Sequence, residues 1–225
     1  MKTNQKGFTL VEIAIVLVII GLLLGGILKG QEMITQAKIK NVISDFSGIS
    51  AAFHGYQDRY RALPGDDGGA NGRWGTAAGP DNDGVVAGTY NAATAAPEPE
   101  SRMWWEHLRR SGFVAGSGAN QPLNAMSGMV GVQTGNGATP PLPVLGGVGG
   151  VNGFFGLMLC SANLPDKVAI ATDTQMDDGD RRAGSVRGQL QTANNPPIVD
   201  NALTAPDGNN YVESGTNTYT LCRLL

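Results

Sequence analysis

Acidic side chains in turn-forming stretches carry the densest chemistry in this chain: Asp66-Asp67, Pro80-Asp81-Asn82-Asp83-Gly84, and Asp173 followed by Asp177-Asp178-Gly179-Asp180. Carboxylates on flexible turns are hard oxygen donors of the kind calcium takes, so Asp81, Asp83, Asp173, Asp177 and Asp178 are candidate calcium ligands. Their spacing does not fit an EF-hand, because D-x-D-G lacks the third ligand position before its glycine. Asp-Gly and Asn-Asp-Gly also form ordinary turns, and a turn without a metal is the simpler expectation.

Nothing in the spacing suggests catalysis. The two histidines, His54 and His107, have no nearby thiol or carboxylate in a triad-like pattern, and no phosphate loop, dinucleotide fingerprint or zinc spacing occurs. An enzyme is not expected, and calcium is the only cofactor to consider. His107 lies beside Trp104 and Trp105 and is expected at the edge of a tryptophan-lined core. The net charge is −3, and Lys2 and Lys6 contribute to it from the extreme N-terminus. Non-specific nucleic-acid binding by bulk charge is therefore not expected, and no specific nucleic-acid binding is expected either. The basic doublets Arg109-Arg110 and Arg181-Arg182 read as solvated surface. Cys160 and Cys222 invite one bridge in an oxidising compartment, or else two buried thiols. A bridge would close a loop of about 62 residues, worth roughly 4 kcal/mol on chain-entropy grounds.

One more carboxylate stands in an unusual place. Phe8 to Leu28 reads FTLVEIAIVLVIIGLLLGGIL, an apolar run interrupted only by Glu12. As a helix its roughly 21 residues cover the ~30 Å hydrocarbon core of a bilayer. A carboxylate there is costly, so Glu12 is expected to meet a partner charge. The run is longer than a signal-peptide core and lacks an A-x-A-like cleavage site, so it is expected to be retained. Lys2 and Lys6 place the N-terminal end in the cytosol and the chain beyond Lys29 across the membrane. Glycines at 21, 25, 26 and 30 weaken this part of the helix and fit G-x-x-x-G packing faces.

The stretch Lys6-Gly7-Phe8-Thr9-Leu10-Val11-Glu12 resembles the processing site of type IV prepilins and related pseudopilins. The resemblance covers residues 1–30. It implies that a prepilin peptidase cuts between Gly7 and Phe8 and N-methylates Phe8. It further implies that Glu12 pairs with the Phe8 amine of a neighbouring subunit, a register device built from buried charge. The implied partners are homologous pilin subunits, the peptidase, the inner-membrane assembly platform, and membrane lipid before assembly. The implied location is the bacterial inner membrane, N-in and C-out, then a periplasmic or cell-surface filament. Three functions follow from it: a major or minor subunit of a type IV pilus, a pseudopilin of a type II secretion system, or a membrane-anchored binding protein or adhesin. A Cys160–Cys222 loop near the C-terminus resembles pilins more than pseudopilins. The Cys160 to Gly188 stretch, with its N-L-P, D-x-x-x-D-D-G and G-S-V-R-G pieces, is similar to the C-terminal half of a pilin-like subgroup. There the acidic turn would order the chain by hydrogen bonds or by a metal.

These groups must be positioned by a few elements. Ile39, Val42, Phe46, Ile49, Phe53, Tyr56 and Tyr60 recur at spacings of three and four, painting one stripe on a helix that continues from the membrane part. Leu63-Pro64-Gly65-Asp66 stops it. Expected strands are 153–160, 167–172, 185–191 and 217–224, with a short helix over 101–111 and long surface loops over 64–99 and 116–150. The expected fold class is α+β, a long N-terminal helix packed on a small antiparallel β-sheet. The expected division is a basic leader 1–7, a membrane and filament-core helix 8–28, its amphipathic continuation 29–62, and an extracytoplasmic globular domain 63–225.

Overall fold

A single long helix dominates the N-terminal part of the computed structural model, which describes residues 9–76, 79–146, 152–199 and 210–225. The chain forms two units, Met1–Ala37 and Lys38–Leu225. Helix α1, Leu10–Tyr60, supplies the described part of the first unit and the opening of the second. Its N-terminal stretch is apolar on every side, and its large side chains are exposed, from Leu10 and Val11 to Ile27 and Leu28. It is long and apolar enough to cross a membrane. A Cβ added at Gly21, Gly25, Gly26 or Gly30 would meet nothing.

From Lys38 the period-3.6 stripe takes over. Ile39, Val42, Phe46, Ala52, Phe53 and Tyr56 are buried, while Ile49 and Tyr60 pack at the margin. Aliphatic and aromatic residues on one face and Lys, Asp and Gln on the other make this half of α1 stable only against a core. The helix ends at Tyr60. Arg61 turns into the left-handed region at φ 55°, its N–H donating to Gln57 O, before the Pro64-Gly65 stop signal is reached.

The globular unit adds α2 (Ala70–Trp74), α3 (Glu100–Arg110), β1 (Val130–Thr134), β2 (Leu157–Pro165), α4 (Asp166–Met176), β3 (Val186–Leu190) and β4 (Thr218–Leu224). The strands form one antiparallel sheet in the order β1-β2-β4-β3. Alternation along β2 and β4 separates two apolar sets. Leu159, Leu164, Tyr219 and Leu221 join Trp104, Trp105 and Leu108 of α3 and the α1 stripe in the larger core. Met158, Cys160, Ala162 and Cys222 face the other way, into a second core with Tyr90, Val144, Leu145, Phe154 and Ile198. Cys160 and Cys222 are direct cross-strand partners and are disulfide-bonded.

The architecture is thus α+β, a long helix packed on an open four-stranded sheet, and it differs from the sequence reading in several places, among them a short helix, α2, inside the expected loop 64–99 and a strand, β2, that runs Leu157–Pro165 instead of 153–160. Residues 167–172 form helix, not strand. Val168, Ala169, Thr172 and Asp173 are the buried set, an i, i+1, i+4, i+5 pattern that a strand cannot present to one side. A short apolar run fits either period, and here Pro165 followed by an acidic first turn at Asp166 starts a helix directly off β2. The stretch 116–150 is not all loop, because it contains β1, whose sequence VGVQT is buried throughout. With both faces covered it shows no polar alternation. Gly131 in β1 admits the neighbouring chain: a Cβ there would lie 2.1 Å from Tyr90 O. Lastly, the long connections are not simply surface, since Val86, Tyr90, Val144 and Leu145 fill the cores that cover the sheet.

Candidate functional site

The N-terminal segment begins with a local hydrogen-bond arrangement. Thr9 precedes the first residue of α1, and Glu12 is the third residue within it. Thr9 N–H donates to Glu12 Oε2 at 2.7 Å, Thr9 Oγ1 donates to the same oxygen at 2.8 Å, and Glu12 N–H donates to Thr9 Oγ1 at 3.3 Å. This is a capping box, which satisfies backbone donors that a helix start leaves without partners. The T-x-x-E spacing that forms it is legible in Thr9-Leu10-Val11-Glu12, yet the sequence reading, which treated the segment as a membrane span and a processing site, gives Thr9 no capping role. Glu12 accordingly has partners within its own chain, in addition to any it meets elsewhere. The cleavage and methylation positions Gly7 and Phe8 lie outside the described residues. From Leu10 to Leu28 the large apolar side chains are exposed among the described residues, a surface of the kind that marks an interaction with lipid or with other apolar helices.

The acidic residues sort into two groups, which only partly follow the sequence clusters. Asp173, Asp177 and Asp178 do converge, with one carboxylate oxygen from each inside a 4.8 Å set. Hydrogen bonds organise this group. Asp177 Oδ2 accepts the N–H groups of Ser185 (2.5 Å) and Val186 (3.0 Å), which sets the entry to β3. Asp173, fully buried, accepts the Tyr211 hydroxyl at 2.6 Å. Asp178 Oδ1 accepts Asp180 N–H, and Asp180 pairs with Arg182. Burial pushes the Asp173 carboxyl up to about 6, with the charges of Asp178 and Asp177 adding to the rise and the Tyr211 hydrogen bond opposing it. Arg181, expected at the surface, is instead fully buried, and its charge acts on Tyr211 and Asp180.

The second group is one the sequence does not display. Asp81 meets Asp66, which follows the α1 stop, and Glu100, the first residue of α3, with an oxygen from each within 4.8 Å of the others. Asp83 is not in this set: its Oδ1 accepts Val85 N–H at 2.7 Å, and the residue lines an adjacent cavity of 280 Å³ together with Asp81 and Glu100. Glu100 went unnoticed because nothing in Glu98-Pro99-Glu100 marks one carboxylate as buried. Its carboxyl is pushed up to about 7, first by burial and then by the charges of Asp66, Asp81 and Asp83, against a lowering hydrogen bond from Ala87 N–H. Asp66 is raised for the same leading reason.

Asp67, by contrast, is fully employed. It accepts the Tyr56 hydroxyl at 2.6 Å and Gly69 N–H at 2.9 Å and pairs with Arg73, tying the loop after α1 back to the helix. His107 sits inside the same region rather than at its edge, with no exposure, and accepts Gly65 N–H at Nδ1 (3.0 Å). Arg109 donates to Gly118 O and Asn120 O, holding the loop after α3.

Residues 2–28 match the family described as the prokaryotic N-terminal methylation motif, the signature of type IV pilins and pseudopilins. No curated protein and no solved structure matches the chain. The protein is thus pilin-like or pseudopilin-like at its N-terminus. The motif implies processing by a prepilin peptidase, assembly with other pilin subunits, and a membrane-anchored form before assembly.

Proposed function

We propose that this protein is a structural subunit, major or minor, of a type IV pilus. The observation that carries the reading is the methylation motif at residues 2–28 leading into a helix that is apolar on all sides and exposed, with Glu12 as the one carboxylate in the run. Such a helix is held in the inner membrane, N-in and C-out, until it is transferred to a filament core, where like helices replace lipid. Peptidase cleavage between Gly7 and Phe8, and methylation of Phe8, release the apolar helix from its basic leader. Glu12 then pairs with the Phe8 amine of an adjacent subunit. In this scheme the Thr9 capping box holds the carboxylate at the first turn of the helix until the amine of an adjacent subunit meets it. The globular unit, stapled by Cys160–Cys222, coats the filament.

Intact-mass analysis of the protein from its native membrane is expected to show loss of Met1 to Gly7, one added methyl group and two fewer hydrogens for the disulfide. An uncut N-terminus in cells with active prepilin peptidase overturns the reading. Deleting the gene is expected to remove surface fibres or reduce their number while protein export continues. Loss of export with fibres intact would assign the chain to a type II secretion machine instead.

A further inference from the structure

We propose that Asp66, Asp81 and Glu100 form a calcium site, with Asp83 at its rim. Oxygens bound to one calcium ion at about 2.4 Å are at most ~4.8 Å apart, and these three carboxylates offer oxygens inside that limit. They come from three separate segments: the turn after α1, the 80–84 turn and the start of α3. Local turn chemistry therefore does not account for their meeting.

An independent observation points the same way. Asp66 is 3% exposed, yet its Oδ1 has no hydrogen-bond partner among the described residues, while Oδ2 accepts Gly84 N–H at 2.8 Å. A buried carboxylate oxygen without a donor calls for a cation, a water or a proton, and besides Gly84 the one other backbone group acting on Asp66 is Asn82 N–H. Glu100 is buried too and takes Ala87 N–H on Oε2 (2.8 Å), whereas Asp81 is exposed. The charged groups acting on Glu100 are Asp66, Asp81 and Asp83, all acidic. Arg102, the nearest basic residue in α3 by sequence, pairs with Glu98 and donates to Gln121 and Asn120. The adjoining cavity, lined by Asp81, Asp83, Glu98, Glu100 and Thr139, has room for an ion with several waters.

The donor set chooses the metal class. Oxygen alone, without imidazole or thiolate, selects a hard cation, and ligands spread over loops suit the irregular shell of calcium better than the strict octahedron of magnesium. Asp173, Asp177 and Asp178 also hold an unpartnered buried oxygen, Asp173 Oδ1, but they have a cation of their own nearby in the buried Arg181, whose charge acts on Tyr211 and Asp180, while Asp177 Oδ2 takes two backbone N–H groups and Tyr211 serves Asp173. An ion at the first group would clamp the 80–84 turn to α3 and to the end of the long helix.

The test uses the full chain in non-ionic detergent, stripped with chelator and titrated with CaCl2 by calorimetry and thermal unfolding, with MgCl2 as comparison. Saturable calcium binding with a raised Tm is expected, and the magnesium response is expected to be much weaker. Absence of both signals up to ~10 mM calcium, beyond the range of weak extracellular sites, overturns the proposal. Asp81→Asn is expected to weaken calcium binding roughly tenfold or more, because one charged ligand is lost, while its calcium-free Tm equals or exceeds that of the parent because a like charge is removed. Asp178→Asn is expected to bind as the parent does. Unchanged binding in Asp81→Asn, or loss of binding in Asp178→Asn, refutes the assignment.

Discussion

Acidification should destabilise the globular unit through one residue, His107. The ring is fully buried, its Nδ1 accepts the Gly65 N–H at 3.0 Å, and the Tyr56 and Trp74 rings lie 6.3 Å from it, centroid to centroid. A protonated imidazole has donors on both nitrogens, so it would lose the Gly65 bond and place a charge in an apolar environment. Burial lowers its pKa to about 4 from the ordinary 6.5. The Arg73 charge acts in the same direction, and the Asp67 charge opposes it. Because the folded state holds the proton less tightly than the unfolded state, His107 adds stability above pH 6.5 that is lost as pH falls toward 4. At about 1.4 kcal/mol per pH unit, that gap is worth about 3 kcal/mol.

Glu100 and Asp173 work against this trend. Their pKa values are raised to about 7 and about 6, so both favour the folded state as pH falls through those values, and the parent curve alone mixes them with His107. A paired measurement separates them. Urea unfolding of the full chain in non-ionic detergent, disulfide intact, is followed by tryptophan fluorescence from pH 7.5 to 4, beside His107→Gln. Glutamine can still accept the Gly65 N–H but does not titrate. The stability difference, parent minus variant, should fall by about 3 kcal/mol on acidification, mostly between pH 6.5 and 4. A difference that stays flat to within ~0.5 kcal/mol would mean that His107 is not held neutral by burial, and the reasoning fails.

Glu12→Ala should remain in the membrane fraction, insertion being easier without the carboxylate, yet be depleted from sheared filaments on immunoblots; normal incorporation would remove the pairing role. Gly131→Ala should cost about 1–3 kcal/mol in thermal unfolding, because the added methyl meets the Tyr90 carbonyl, and a neutral result would show that the strand can shift to make room. Replacing Cys160 and Cys222 together by Ala should lower stability by about 4 kcal/mol, read by urea unfolding, and make the protein insensitive to reductant.

The elements that were legible in advance are those whose signal is local and sustained. The continuous apolar run, the stripe from Ile39 to Tyr60, the tryptophan helix and three of the four strands each carry their own periodicity or composition. Residues 167–172 were misread because KVAIAT is β-branched and apolar enough for a strand, and only the burial of Asp173 beside Ala169 shows the helical face. Strand β1 stayed hidden because burial on both sides removes the alternation that marks a half-exposed strand. Of the candidate calcium ligands, Asp173, Asp177 and Asp178 lie close in sequence and do meet, in a turn that hydrogen bonds also organise.

What the amino-acid order determined unaided was the N-terminal pattern: two lysines, a Gly7-Phe8 step, an apolar helix long enough for a membrane, and a single carboxylate within it. Helix periodicity and hydropathy act over a few residues, so no tertiary contact was needed to see them. Tertiary structure alone decided that Asp66, Asp81 and Glu100 converge, that Arg181 and His107 are buried, and that the loops cover one face of the sheet. Those outcomes depend on contacts between segments far apart in the chain, whose desolvation and mutual charge exist only once the core has closed.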